Sequence, residues 1–305
     1  MTGFTVVMAA HDTADTVASA VRSVLAQTRP DFELFVIDDG SGDGTAEQVR
    51  PFLADDRVRL LETPHAGAAA ARSAGIAAGS APLISMVDSD DLWMPDYLER
   101  MGAALDADPG ASFAYTDAWY LDDATRQVRR LSAMGYQRPP EPPPATAADL
   151  FAVLCERNFI YNAVTVRRAA VDEVGPPDPR LRSMIDWEWW LRLTAAGHRA
   201  VRVPGRLAVY RLRPGSMSRD RERVVAGQRD LWRLVAAEYD LDPQLRERLT
   251  AKADGFDAEL AKVNGPRARL ARTAVAARKS LTRRRDYFSE PPAEVTDAFG
   301  DLRAV

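Results

Sequence analysis

The chain has 305 residues, 46% of them hydrophobic and 28% charged, with a net charge of −4. This composition fits one large globular domain, or a domain with an appendage; it excludes fibrous and disordered classes, and the acidic balance argues against general nucleic-acid binding. Cys155 is the only cysteine, which excludes an intrachain disulfide and a cysteine-rich zinc centre and fits a reducing compartment. The opening "MTGFTVVMAAHD" has no basic leader and no later run reaches the ~18 apolar residues of a membrane span, so the expectation is a soluble, cytoplasmic protein.

Strand and helix signals alternate over the first third of the chain, which predicts an α/β fold with a mostly parallel sheet and flanking helices. "FTVVMA" (4–9) reads as a buried strand. Val17, Val21, Val24 and Leu25 then share a helical face, with Asp15 as N-cap. "ELFVID" (33–38) is a second strand and "GSGDGT" (40–45) a turn into a helix. "VRLLE" (58–62) is a third strand, "GAAAARSAGIAAG" (67–79) an Ala-rich helix, and "LISMV" (83–87) a fourth strand. Pro95 starts another helix, where its missing N–H does no harm, and "SFAYTD" (112–117) is a fifth strand. "RPPEPPPA" (138–145) has five prolines in eight residues and must be an extended connector. A helix at 146–156, a strand ending at 162–168, a loop at 175–182 and a helix at 184–197 follow. Strands near 199–203 and 206–211 precede a charged, helical region from about residue 219 onward. No internal repeat is visible.

The acidic residues fall at related places. Asp38 and Asp39 end the second strand, and Asp88, Asp90 and Asp91 follow the fourth. In open α/β sheets, ligands bind beyond the carboxyl ends of the strands, so both clusters belong on one rim. Crowded carboxylates repel and lose hydration when buried, so something positive is expected among them. A hard divalent cation bridging to a substrate diphosphate answers that need, because Mg²⁺ takes one or two carboxylates plus phosphates. The competing reading is a solvated acidic turn that caps the next helix.

"VVMAAHDTADTVASAVRSVLAQT", "DFELFVIDDGSGDGT", "HAGAAAARSAGI", "VDSDDLWMPDYL" and "DWEWWLRL" occur in the order seen in family 2 glycosyltransferases. The chain resembles that family over roughly residues 4 to 215, and the first two stretches look especially like its bacterial spore-coat polysaccharide member. The resemblance implies a GT-A fold and transfer of a sugar, with inversion, from a nucleotide-diphosphate sugar to an acceptor hydroxyl. The donor would carry UDP or dTDP, and the acceptor would be a carbohydrate, a lipid-linked molecule or another hydroxyl compound. Residues 1–116 would form the donor half, 117–218 the acceptor half and 219–305 a C-terminal helical extension.

Carried over residue by residue, the resemblance puts Ala9 and His11 in the donor site at the first strand end. Asp39 would accept a hydrogen bond from the base, and Arg72 would lie near it. Asp90 would hold the ribose or sugar side of the donor, Asp91 would bind Mg²⁺ or Mn²⁺ with Asp90 beside it, and Asp88 would help through water. Asp186 matches the catalytic base. Where many members carry a metal-contacting histidine, this chain has "YRLRPGSMS", so Arg211 and Arg213 are candidates for the phosphate charge. His11-Asp12 likewise replaces a common Tyr-Asn pair.

Beside these readings stand plainer ones. Asp186 can be an ordinary first-turn acid, and Trp187, Trp189 and Trp190 can be acceptor platforms or core. A catalytically silent nucleotide-sugar-binding module stays open against the enzyme. Residues 262–285 carry nine Lys or Arg and no acid. As a basic amphipathic helix they would place the protein peripherally on the inner face of an anionic membrane, or else pack on the acidic surface.

Overall fold

In the computed structural model, the apolar run after the N-terminus becomes the hub of one sheet. The structure describes residues 3–122, 127–132, 139–213, 216, 220–264 and 288–289. β1 (Phe4–Ala10), β2 (Phe32–Asp39), β3 (Val58–Thr63) and β4 (Leu83–Asp88) pair in parallel, in the order β3-β2-β1-β4. Their connections carry α1 (Val17–Leu25), α2 (Thr45–Val49), a 3₁₀ turn at Arg50–Ala54 and α3 (Ala68–Ala78). β1 and β2 are apolar on both faces because both are covered. Val7 and Ile37 join one core, while Val6, Met8, Leu34 and Val36 join the other beside α1. α3 lies close on the sheet: a methyl group at Gly75 would come within 2.5 Å of Val7 and 2.8 Å of Ile37.

Beyond β4 the sheet becomes mixed. β5 (Leu92–Trp93) leads into α4 (Tyr97–Ala107), then β6 (Ala111–Asp122), β7 (Gln127–Ser132), α5 (Ala147–Glu156), β8 (Val164–Arg167), α6 (Arg168–Val174), α7 (Ile185–Ala195) and β9 (Arg199–Leu212). β8 inserts antiparallel between β4 and β6, and β9 runs parallel to β6 while also pairing with β5. β6 passes without interruption through residues 116 and 117, so the two expected halves share this strand. The parallel expectation therefore holds for the first four strands, and the far side is mixed.

Several boundaries differ for local reasons. The two strands expected at 199–203 and 206–211 are the single strand β9, which contains Gly205 at φ +96. The helix after Pro95 begins at Tyr97, because Leu92–Trp93 first pair with β9. The N-cap position of α1 is Thr16 instead of Asp15. A two-residue strand is too short for any period to reveal it.

α8 (Arg221–Glu238) and α9 (Pro243–Asn264) form the C-terminal helical extension, and β10 (Phe288–Ser289) pairs with β7 at the end of the sheet. Leu231, Trp232 and Val235 enter the main core, where Trp232 meets Trp187 edge-on at 5.0 Å. Among the described residues, no helix is long and apolar enough to cross a membrane. The membrane-contact expectation for 262–285 falls almost entirely on residues outside those described.

Candidate active site

The loops after β1 and β2 are laced together. Thr13 N–H donates to Thr45 Oγ1 at 2.8 Å and Ala14 N–H to Asp43 Oδ2 at 2.9 Å. Asp12, left-handed at φ 50, accepts from Gly42 N–H at 3.0 Å while its own N–H donates to Ser41 Oγ at 3.0 Å. Asp38 accepts from Ser41 N–H at 3.1 Å and also from the Ser41 hydroxyl. Asp39 is 2% exposed, and its two oxygens accept from Ala66 and Gly67 N–H, each at 2.8 Å. Those amides immediately precede α3, where the helix dipole favours an anion. His11 and His65 stack on each other beside Asp39 with centroids 4.1 Å apart. Ala9 and Ala10 end β1 on the same rim, in register with Ile37 and Asp38.

At the end of β4 the carboxylates meet side chains instead. Asp88 accepts from Arg72 Nη2 at 2.6 Å and Asn162 Nδ2 at 3.1 Å. Arg72 is itself 9% exposed. Asp91 is 2% exposed, with one oxygen accepting from the Tyr161 hydroxyl and the other from Arg211 N–H at 2.8 Å. Burial, then the charges of Asp90 and Asp88, push the Asp91 carboxyl well above its ordinary range. Asp90 keeps 28% of its side chain exposed, and Arg213 Nη1 stands 3.8 Å from it. Burial and the charge of Asp88 raise it to about 6, against the opposing pull of Arg213 and Arg211.

α7 supplies the remaining acid. Asp186 lies in its first turn. Burial raises its carboxyl, Arg72 opposes that rise and Asp88 reinforces it, so the two acids act on the same guanidinium. Met184, at the N-cap, is left-handed at φ 59. Asp12 and Met184 are the non-glycine positive-φ residues among those described, one in the loop after β1 and the other at the start of α7.

The expected site residues are therefore brought to one rim, in surroundings that differ from one to the next. Asp91, expected to hold the metal, has both oxygens engaged by the protein, whereas the neighbouring Asp90 is more open. Arg211, expected to share phosphate charge, is 2% exposed and directs Nη2 at Ser19 Oγ on α1, 3.0 Å away. Arg213 stays at the rim, bonded to Asp15 Oδ1 at 2.7 Å. The tryptophans offer no acceptor platform: Trp187, Trp189 and Trp190 are at most 4% exposed. Trp187 and Trp189 bond to the carbonyls of Leu154 and Gly175. Glu188 is likewise committed, to Arg192 at 2.9 Å and the Tyr239 hydroxyl at 2.9 Å. Sequence reasoning missed Tyr161 and Asn162, whose only signal was a polar pair inside the apolar stretch "FIYNAV".

Both the sequence and the fold match proteins already known. The profile described as glycosyl transferase family 2 matches residues 5–174. The succinoglycan biosynthesis protein ExoO of Rhizobium meliloti (strain 1021) is 34% identical over 218 residues, covering 70% of this chain and 62% of that protein. The TarS 1-349 structure from S. aureus in complex with UDP-GlcNAc superposes with a TM-score of 0.65 at 16% identity, covering 86% of this chain and 74% of that one. The mannosyltransferase PcManGT from Pyrobaculum calidifontis, in complex with GDP-Man and Mn²⁺, gives 0.59 at 18% identity, covering 92% and 81%. At such identities the structures speak for the fold, which is GT-A. The chain belongs to glycosyl transferase family 2, and it spans less than two thirds of ExoO.

Proposed function

We propose that this enzyme transfers a sugar from a nucleotide-diphosphate sugar to an acceptor hydroxyl with inversion, in the assembly of a polysaccharide or other glycoconjugate. The carrying observation is the shared guanidinium of Arg72. It bonds Asp88 at 2.6 Å and is the cation that most offsets Asp186, linking the acid at the β4 rim to the acid of α7. Asp186 serves as general base for the acceptor hydroxyl, and the burial that raises its carboxyl makes it a better proton acceptor. The oxygen then attacks the anomeric carbon opposite the leaving diphosphate, with no covalent sugar intermediate. Asp39, with Ala9 and His11 beside it, takes the base, and the complexes of TarS with UDP-GlcNAc and of PcManGT with GDP-Man support a nucleotide-sugar donor.

The donor set fits Mg²⁺ or Mn²⁺. Asp88 and Asp90 stand in a half-buried cleft where their mutual repulsion calls for a cation, and a hard divalent ion would supply Lewis-acid stabilisation of the departing diphosphate. Asp90 is the better ligand because Asp91 is sealed, and Asp91 then positions its neighbour. Arg213 adds a second positive group on the phosphate side. UDP and dTDP remain the preferred nucleotides. Residues 1–116 form the donor half, 117–218 the acceptor half and 219–305 the extension in this reading. Work on the cytoplasmic side, with 262–285 meeting an anionic membrane surface and a lipid-linked acceptor, is supported by the sequence alone.

The test is a thermal-shift screen of UDP-, dTDP- and GDP-sugars with Mn²⁺ or Mg²⁺, because a ligand bound only by the native state raises the melting temperature. A hit should be followed by release of nucleoside diphosphate upon adding a saccharide acceptor. Stabilisation by no nucleotide sugar would overturn the assignment.

A further inference from the structure

Two of the three histidines stand together with one buried acid in an arrangement that base binding does not require. His11 follows β1 and His65 follows β3, so the parallel order brings two distant parts of the chain to the end of β2. His11 Nδ1 lies 2.9 Å, and His65 Nδ1 3.1 Å, from the same oxygen, the main-chain carbonyl of Asp39. His65 Nδ1 is also 3.0 Å from Asp39 Oδ2. A carbonyl can only accept, so each ring holds its proton on Nδ1 and both protons point into one small space. The ligand-capable atoms of His11, Asp39 and His65 all fall within 4.8 Å of one another.

We propose that His11, His65 and Asp39 form a second cation site, chemically distinct from the Asp88–Asp91 cluster, for a borderline transition metal such as Zn²⁺, Co²⁺ or Ni²⁺. Tetrahedral coordination with bonds of 2.0–2.1 Å has edges of about 3.3–3.4 Å. The nitrogen-to-oxygen separations of 2.9, 3.0 and 3.1 Å are a few tenths of an ångström shorter and the whole set stays within 4.8 Å, so modest adjustment admits a cation at the two Nδ1 atoms once each ring's proton passes to Nε2, with the Asp39 carbonyl as a further oxygen. The amides of Ala66 and Gly67 hold the Asp39 carboxylate from behind, as outer-shell donors do for metal ligands. The rings are 41% and 58% exposed, which leaves an entry path. Two imidazoles with one carboxylate suit these metals, whereas Mg²⁺ demands oxygen ligands. Occupancy would engage the Asp39 oxygens, so the metal and the nucleobase compete; that consequence rests on the donor-site reading above.

Co²⁺ titrated into the full-length protein without nucleotide is the test. The expected result is a saturable visible absorption with one ion per chain. It should weaken at least tenfold in His65→Gln and in His11→Gln, both with unchanged circular dichroism, and persist in Asp90→Asn. No absorption, equal binding by the histidine variants, or loss in Asp90→Asn would overturn the site. UDP with Mg²⁺ should then bleach the cobalt spectrum. UDP binding beside an intact cobalt spectrum would overturn the competition. Failure of UDP–Mg²⁺ to bind the metal-free protein would instead count against the donor-site reading, leaving the cobalt titration to judge the metal site.

Discussion

The ends of β2 and β4 each crowd carboxylates onto the same rim, yet the fold treats them differently. Asp38 and Asp39 are met by main-chain amides and the Ser41 hydroxyl, contacts complete within the protein itself. Asp88, Asp90 and Asp91 rely on side chains from three distant segments, and the charges left over raise Asp90 and Asp91. The β2 end is held largely by its own backbone, whereas the β4 end keeps carboxylates whose mutual repulsion the neighbouring cations only partly offset. Composition alone shows two acidic clusters; only the count of donors around each tells them apart.

The sharpest way to break this picture runs through the acid that neither strand supplies. Asp186→Asn keeps the size and removes the proton acceptor, so turnover should fall by roughly 10²-fold or more with donor affinity kept. Near-normal turnover with a verified acceptor would leave α7 without a chemical role, since Glu188 is already bound to Arg192 and Tyr239.

Next comes the division of labour within the β4 cluster. Asp90→Asn should raise the melting temperature of the nucleotide-free protein by relieving repulsion, while cutting metal-dependent nucleotide affinity roughly tenfold or more. Asp91→Asn should do the reverse and lower stability by about 1–3 kcal/mol, because its bonds to Tyr161 and the Arg211 amide are buried. If the Asp91 variant is as stable as wild type and loses the metal, the ligand is Asp91, as the resemblance implied.

At the β2 end, Asp39→Ala strips the acceptor from Ala66 and Gly67 N–H and should cost about 1–3 kcal/mol besides weakening UDP. Chemical denaturation and calorimetry read the two effects separately. Unchanged UDP affinity would remove Asp39 from the donor site. The smallest effect concerns Cys155, whose thiol burial pushes up to about 12. Its folded value lies above the unfolded one near 8.5, so its contribution to stability is present below pH 8.5 and declines as the pH rises towards 12. Ellman's reagent at pH 8 should therefore modify the native protein far more slowly than the urea-unfolded chain; equal rates would contradict the burial.

The first four strands and the acidic rim were legible because a parallel strand covered on both faces is a continuous apolar run ending in a polar turn. Asp186 is a candidate only through resemblance, since a first-turn acid has no signature of its own. The surroundings of Asp91, Arg211 and the tryptophans depend on which partner reaches them: Tyr161 is 70 residues from Asp91 along the chain, and Ser19 is 192 from Arg211. The sequence leaves the three-tryptophan helix open between a surface for sugar and core, because it cannot say that α5 and α8 close over it.

The clasp between Asp39 and the amides that begin α3 has a consequence for motion. Whatever fills the cleft at Asp39 touches the residue that seals that helix end, so ligand affinity and the local opening of α3 are thermodynamically linked. Amide hydrogen exchange at the start of α3 should slow when UDP binds, and hasten when Asp39 is replaced, before any change reaches the far strands of the sheet.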